Sequence, residues 1–241
     1  MNQEPIIEGW AIPIRTKKEY IALYPDRQNI EGPSDPSRYA DHTYVVFHNP
    51  ETRWGCFGRD QGGTKLVSDR GHFENANRAS EPFGQAGIIY GITGVCHQAA
   101  NRILKGAGSL KLVRDAKGYW ASHFMYGAYG IGGGFEMEFE NLANMDELKK
   151  VQGYDKALLL NKIDVQFAIK NKLNNPLEEA KVLQLAKILT EHKYEIQYHF
   201  SVFNIDYNRL INNLMKRFGT VLSDREYEDL FDFPKGQYVI F

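Results

Sequence analysis

Two hydrophobic rhythms divide this chain, and the change between them falls near residue 144. In the first part His42-Thr43-Tyr44-Val45-Val46-Phe47-His48 is dense in β-branched and aromatic residues and predicts a β-strand. Asn49-Pro50-Glu51-Thr52 reads as a turn, and Arg53 to Gly58 as the returning strand of a hairpin. Residues 6–24 carry apolar patches that fit a short strand followed by a turn or helix, and a Pro-, Asp- and Ser-rich loop runs from Pro25 to Pro36. Arg59 to Ser80 is polar and reads as a long surface loop.

Cys96 to Leu104 then follows helical spacing. With Cys96 as i, the small and apolar Ala99, Ala100 and Ile103 fall at i+3, i+4 and i+7, so the thiol shares the inward face. Thr93 is the expected N-cap, and Gly106 stands where the helix should stop. Ser109 to Val113 and Tyr119 to Tyr129 read as a second strand pair, and the alternation of Phe135, Met137 and Phe139 with Glu136, Glu138 and Glu140 as a further strand. After residue 144, Asp146 to Leu173 and Pro176 to His192 predict a helical hairpin with Pro176 at N1. Tyr194 to Phe203 fits strand or helix equally. Asp206 to Phe218 predicts a helix, and Ser223-Asp224-Arg225-Glu226 is a capping box opening the last one.

Composition narrows the partners. A chain of 241 residues with 43% hydrophobic content can bury a full core, and a formal net charge of -1 argues against an electrostatic nucleic-acid binder. No apolar run reaches the length of a membrane span, and Met1 to Pro5 lacks the features of a signal peptide, so a soluble, cytoplasmically made protein is expected, with export by a signal-independent route left open. Two cysteines do not make a disulfide framework, and their strand and helix contexts give no special reason for a Cys56–Cys96 bridge.

Candidate chemistry centres on Cys96. A thiol at a helix start feels the positive end of the macrodipole and nearby unpaired N–H groups, which favour the thiolate and could later hold an oxyanion. The alternative is a small buried hydrophobe. A nucleophilic cysteine needs a base. His42 opens a rigid strand and His123 follows the cysteine on an expected strand; His48 shares the face of His42 but lies roughly 20 Å along it, so only one of those two can meet Cys96. His97 points about 100° away from Cys96 around the helix. Asp60 falls opposite His42 across the hairpin and could orient the imidazole. Gln98 and Tyr90 are possible oxyanion or substrate contacts, against ordinary polar-helix and core-aromatic roles. Cys56, mid-strand with no helix dipole, reads as a structural thiol. No Cys-x-x-Cys, His-x-x-x-His or His-Glu-x-x-His spacing is present, and no metal or other cofactor is expected.

A strand-borne histidine (His42-Thr43-Tyr44-Val45), a hairpin (Trp54-Gly55-Cys56-Phe57-Gly58-Arg59) and a helix-start cysteine (Gly94-Val95-Cys96-His97-Gln98) occur in that order. The order resembles the circularly permuted branch of papain-like cysteine hydrolases of the NlpC-type cell-wall amidase superfamily, over roughly residues 40–140. The chain departs from the family in having neither an Asp-Cys-Ser-Gly nor an Asn-Cys-Glu-His stretch. The resemblance implies an α+β fold with a papain-like core of antiparallel sheet and nucleophile-bearing helix. The change of rhythm at residue 144 sets that core at residues 1–143 and a mainly helical extension, packed on it and not covered by the resemblance, at residues 144–241. The resemblance further implies that Cys96 attacks an amide or ester carbonyl and forms a thioester, with His42 as base and Asp60 orienting it. His123 takes the base role if the unpermuted order applies. By analogy the substrate is a peptide or acyl compound such as peptidoglycan, the protein a secreted antibacterial effector, and an immunity or inhibitor protein its partner. An acyltransferase or deamidase built on the same dyad, or a binding module with an inert thiol, is the alternative.

Overall fold

The computed structural model describes residues 5–23, 25–26, 38–56, 59–131, 152–200 and 207–237. These form a mixed α+β protein with a four-stranded antiparallel sheet and eight helices among the described residues. The chain divides into two compact units, Met1–Ile131 and Gly132–Phe241. The first is therefore shorter than the 1–143 expected from the change of rhythm. The anticipated strand at Phe135 to Phe139 lies outside the described residues, as do Phe57 and Gly58 of the returning strand and the start of the first long helix.

In the first unit, β1 (Ile6–Pro13), β2 (Asp41–His48), β3 (Thr52–Gly55) and β4 (Thr64–Arg70) make a sheet of order β3-β2-β1-β4. Helix α1 (Lys17–Leu23) follows β1, α2 (Phe73–Ala79) follows β4, and α3 (Cys96–Gly106) and α4 (Tyr119–Tyr126) complete the unit. The β1–β2 register pairs Ile12 with His42 and Ala11 with Thr43. Alternation then puts Ile7, Gly9, Ala11, Thr43, Val45 and Phe47 on one face, and Glu8, Trp10, Ile12, His42, Tyr44 and Val46 on the other. Helix α3 packs on the first face, against β2 above all. Gly9 permits the approach: a Cβ there would come within 2.7 Å of Val113 and 3.4 Å of Leu104. The loop after β3 folds over the second face, where the Tyr44 hydroxyl donates to the Gly62 carbonyl at 2.7 Å.

Several sequence expectations are corrected here. The loop expected over Arg59 to Ser80 contains β4 and α2, whose exposed, polar residues hide an edge strand and a single short helix. Tyr119 to Tyr126 is not a strand but α4, and Ser109 to Val113 is irregular. All eight residues of α4 are buried, so no apolar stripe betrays the helix, and left-handed Gly118 and positive-φ Gly127 bracket it. Helix α3 begins at Cys96 with Val95 as N-cap, because the Thr93 hydroxyl is spent on the Ile89 N–H within the preceding turn.

The second unit is helical: α5 (Gly153–Lys172), α6 (Glu179–Phe200), α7 (Tyr207–Val221) and α8 (Asp224–Phe231). Helices α5 and α6 form the expected hairpin, α6 runs through the ambiguous Tyr194 to Phe200, and Pro176 precedes the helix instead of opening it. A buried polar layer joins the pair, with Asn161 donating to the Thr190 hydroxyl at 2.8 Å. The Ser223–Glu226 capping box forms as read, with both reciprocal hydrogen bonds in place.

Candidate active site

Strand β3 stops too early to cover all of β2. Its last register pair is Gly55 with Tyr44, so among the described residues no strand pairs with the edge of β2 from Asp41 to Thr43 on that side. The N-terminus of α3 fills that place. The Cys96 thiol donates to the Asp41 carbonyl at 3.8 Å, and the Thr43 N–H lies on the same side of the strand, near the sulfur. Residues i−1 and i+1 of a strand present C=O and N–H to the same side, so the sulfur bridges the main chain on either side of His42.

Cys96 is 4% exposed. Burial raises its pKa, opposed by the Thr43 N–H and hydroxyl and by the N–H groups of His97 and Cys96 itself. The His97 and Cys96 N–H groups are the donors a helix start supplies to an anion.

His42 projects from the face opposite Thr43, and its surroundings come from the loop beyond β3. Burial depresses its pKa to about 4, with the Arg59 carbonyl and the Asp60 carboxylate acting in the other direction. Its Nε2 is buried with no hydrogen-bond partner among the described residues. The structure thus brings Asp60 near His42, with the Arg59 carbonyl as the nearer orienting group. It brings Cys96 to the backbone of His42, while no hydrogen bond joins sulfur and ring.

The other candidates are placed differently. His123 lies on α4, buried between the rings of Tyr119 and Trp120, at centroid distances of 5.7 and 5.3 Å. His97 comes nearer the sulfur than helix geometry alone suggests, because its Nε2 reaches the same Asp41 carbonyl at 3.1 Å. A carbonyl only accepts, so Nε2 carries the proton, and Nδ1 of the neutral ring meets the Ser122 oxygen at 2.8 Å, competing for its hydroxyl proton with the Tyr119 carbonyl, also at 2.8 Å. Burial holds the His97 pKa down at about 4. With Nε2 committed as a donor, His97 ties β2 to α3 and α4 and is not a base in this arrangement.

Gln98 is equally committed. Its carbonyl accepts from the Val95 N–H at 3.1 Å, and its amide donates to the Gly127 carbonyl at 3.0 Å and the Ser122 hydroxyl at 3.3 Å. It closes the N-terminus of α3 and holds the segment after α4, so both ends of its amide are already engaged. Asn101 and Arg102 continue the same seam, donating to the carbonyls of Ala128, Tyr129, Ala86 and Ile131.

Tyr90 is half-buried, and burial keeps its phenol protonated, with the nearby Cys96 and Cys56 adding to the effect. Cys56 donates to the Gly84 carbonyl at 3.8 Å; burial, then the proximity of Cys96, pushes its pKa up to about 12. Both cysteines are free. No group of three or more His, Cys, Asp or Glu residues among those described could hold a metal ion.

Sequence reasoning missed the Asp41 and Arg59 carbonyls, which carry no side-chain signal, and Ser122, hidden in a segment read as strand. It also passed over Thr43, whose one signal is that it alternates away from His42 along the strand. No helix among the described residues is long and apolar enough to cross a membrane. Compared with protein-family profiles, curated proteins and solved structures, the chain matches none of them.

Proposed function

We propose that this protein is a papain-like cysteine hydrolase that cleaves an amide or ester through a thioester on Cys96. One observation carries the reading: a cysteine at the start of an eleven-residue helix has its sulfur against the main chain on both sides of a buried histidine. In this reading the His42 ring, which leaves β2 on the face away from α3, turns about the strand edge to bring its Nε2, unpartnered among the described residues, to the thiol. It takes the proton, the sulfur leaves the Asp41 carbonyl, and the thiolate attacks the acyl carbon. The N–H groups at the start of α3 hold the oxyanion. His42 then gives its proton to the leaving group, and water releases the acid from the thioester. The Arg59 carbonyl and Asp60 keep the imidazole oriented, and Tyr90 supplies a neutral hydroxyl beside the sulfur.

The narrower reading, a peptidoglycan amidase or endopeptidase that acts as an exported antibacterial effector and meets an immunity protein, rests on the resemblance of the His42-to-Cys96 order alone. An inert thiol in a binding module is the competing account, favoured by the burial of Cys96. Iodoacetamide separates them. A nucleophile is carboxamidomethylated in the folded protein, ahead of Cys56 and more slowly once His42 is replaced by alanine. Labelling of Cys96 only after unfolding overturns the catalytic reading.

A further inference from the structure

Cys56 is the nucleophilic side chain that the proposed mechanism leaves unused, and the fold carries it to the mechanism's own nucleophile. The β2–β3 register pairs Val45 with Trp54 and ends with Tyr44 and Gly55, so Cys56 directly follows the strand residue that lies beside Tyr44, the sequence neighbour of Thr43. Thr43 in turn lies near the Cys96 sulfur, and α3 packs against β3. The only two cysteines in the chain, forty positions apart in sequence, therefore lie at one end of β3, close enough for Cys96 to act on the Cys56 thiol. Both are reduced and buried. The Gly84 carbonyl holds Cys56 from the loop above, and Gly84 itself has φ +74 and lies so close on Gly55 that a Cβ would meet its nitrogen at 3.0 Å.

We propose that Cys56 is a resolving cysteine, which closes a reversible Cys56–Cys96 disulfide when Cys96 is oxidised by peroxide. Hydrogen peroxide is hardly larger than water and suits a site this tight. The Cys96 thiolate attacks one peroxide oxygen, the O–O bond breaks, and the departing hydroxide takes the thiol proton as water, leaving a sulfenic acid. The Cys56 sulfur then attacks the Cys96 sulfur. The S–O bond breaks, the leaving hydroxide takes the Cys56 proton, and a second water departs. Two thiols lose two electrons and one peroxide gains them. The main-chain N–H groups of Thr43, His97 and Cys96 favour the Cys96 anion, whereas Cys56 has only its own N–H, which makes Cys96 the first to react.

The consequence for activity rests on the proposed function; the disulfide itself does not. The full-length protein is treated with hydrogen peroxide, alkylated in denaturant and weighed intact and as peptides. The expected product is lighter by two hydrogen atoms, has lost both alkylatable thiols, yields one peptide joining Cys56 to Cys96, and returns to the starting mass with dithiothreitol. In Cys56→Ser the same treatment drives Cys96 to a sulfinic acid that dithiothreitol does not reverse. Wild-type protein that ends with Cys56 as a free thiol and Cys96 as sulfinic acid overturns the proposal, as does a disulfide found only between chains. If the bridge forms and hydrolysis continues undiminished, the pairing stands and the assignment of Cys96 as nucleophile falls.

Discussion

Replacing His97 by glutamine makes the stability of the first unit less sensitive to acid, by an amount the structure sets. His97 is buried, with a pKa held at about 4 against a usual 6.5. Its lowered folded-state pKa means that the unfolded chain binds a proton first as the pH drops. The stability is therefore complete above about 6.5 and is lost as pH falls from there toward about 4. Between about pH 8 and about pH 5, one such histidine costs about 2 kcal/mol. His42, with a pKa of about 4 for the same reason, adds a similar amount. The two together approach half the stability of an ordinary domain, about 5–15 kcal/mol. Glutamine keeps an amide donor for the Asp41 carbonyl and removes the titration, so the variant should lose about 2 kcal/mol less than wild type over that range. Urea unfolding followed by tryptophan fluorescence reads this unit alone, since Trp10, Trp54 and Trp120 all lie within it. Parallel wild-type and variant losses between about pH 8 and about pH 5 would refute the neutral, buried assignment of His97.

Three further outcomes follow from other parts of the molecule. In the second unit burial raises the Asp164 pKa to about 7, with Lys193 opposing, so its ionisation costs stability as pH climbs from 3.8 through 7. Asp164→Asn should stabilise that unit by on the order of 3 kcal/mol in mildly alkaline buffer and by little in acid, read by far-UV circular dichroism during thermal unfolding. Gln98→Leu strands the Val95 N–H and the Gly127 carbonyl and should cost about 2–4 kcal/mol in urea unfolding, whereas a loss near zero would deny Gln98 its closing role. Gly9→Ala forces a Cβ to within 2.8 Å of Val67 and should cost about 1–3 kcal/mol in the same assay.

The sequence exposed elements whose residues speak locally and concealed those fixed by distant partners. Strand β2 was legible because β-branched and aromatic residues fill it, and α8 because Ser223 and Glu226 cap it by themselves. The periodicity of Ala99, Ala100 and Ile103 marked α3, but its first residue was decided by Ile89, which takes the Thr93 hydroxyl away from capping. In α4, burial on every side erased the stripe that identifies a helix, and its aromatic content imitated a strand. Cys96 and His42 could be picked out as residue types at an element's start. The place where the Cys96 sulfur meets β2 could not, because it depends on β3 ending at Gly55 and on main-chain groups of Asp41 and Thr43. The nearness of Cys56 to Cys96 is likewise set by the fold and not by spacing along the chain.

The most direct test of Cys96 as a nucleophile activated by His42 is the mass of the intact protein during reaction with an activated acyl ester. The account predicts one transient acyl group, mapped to Cys96, absent in Cys96→Ala and formed at least about 100-fold more slowly in His42→Ala. An acyl group on another residue, or acylation of Cys96 at an unchanged rate without His42, would contradict it.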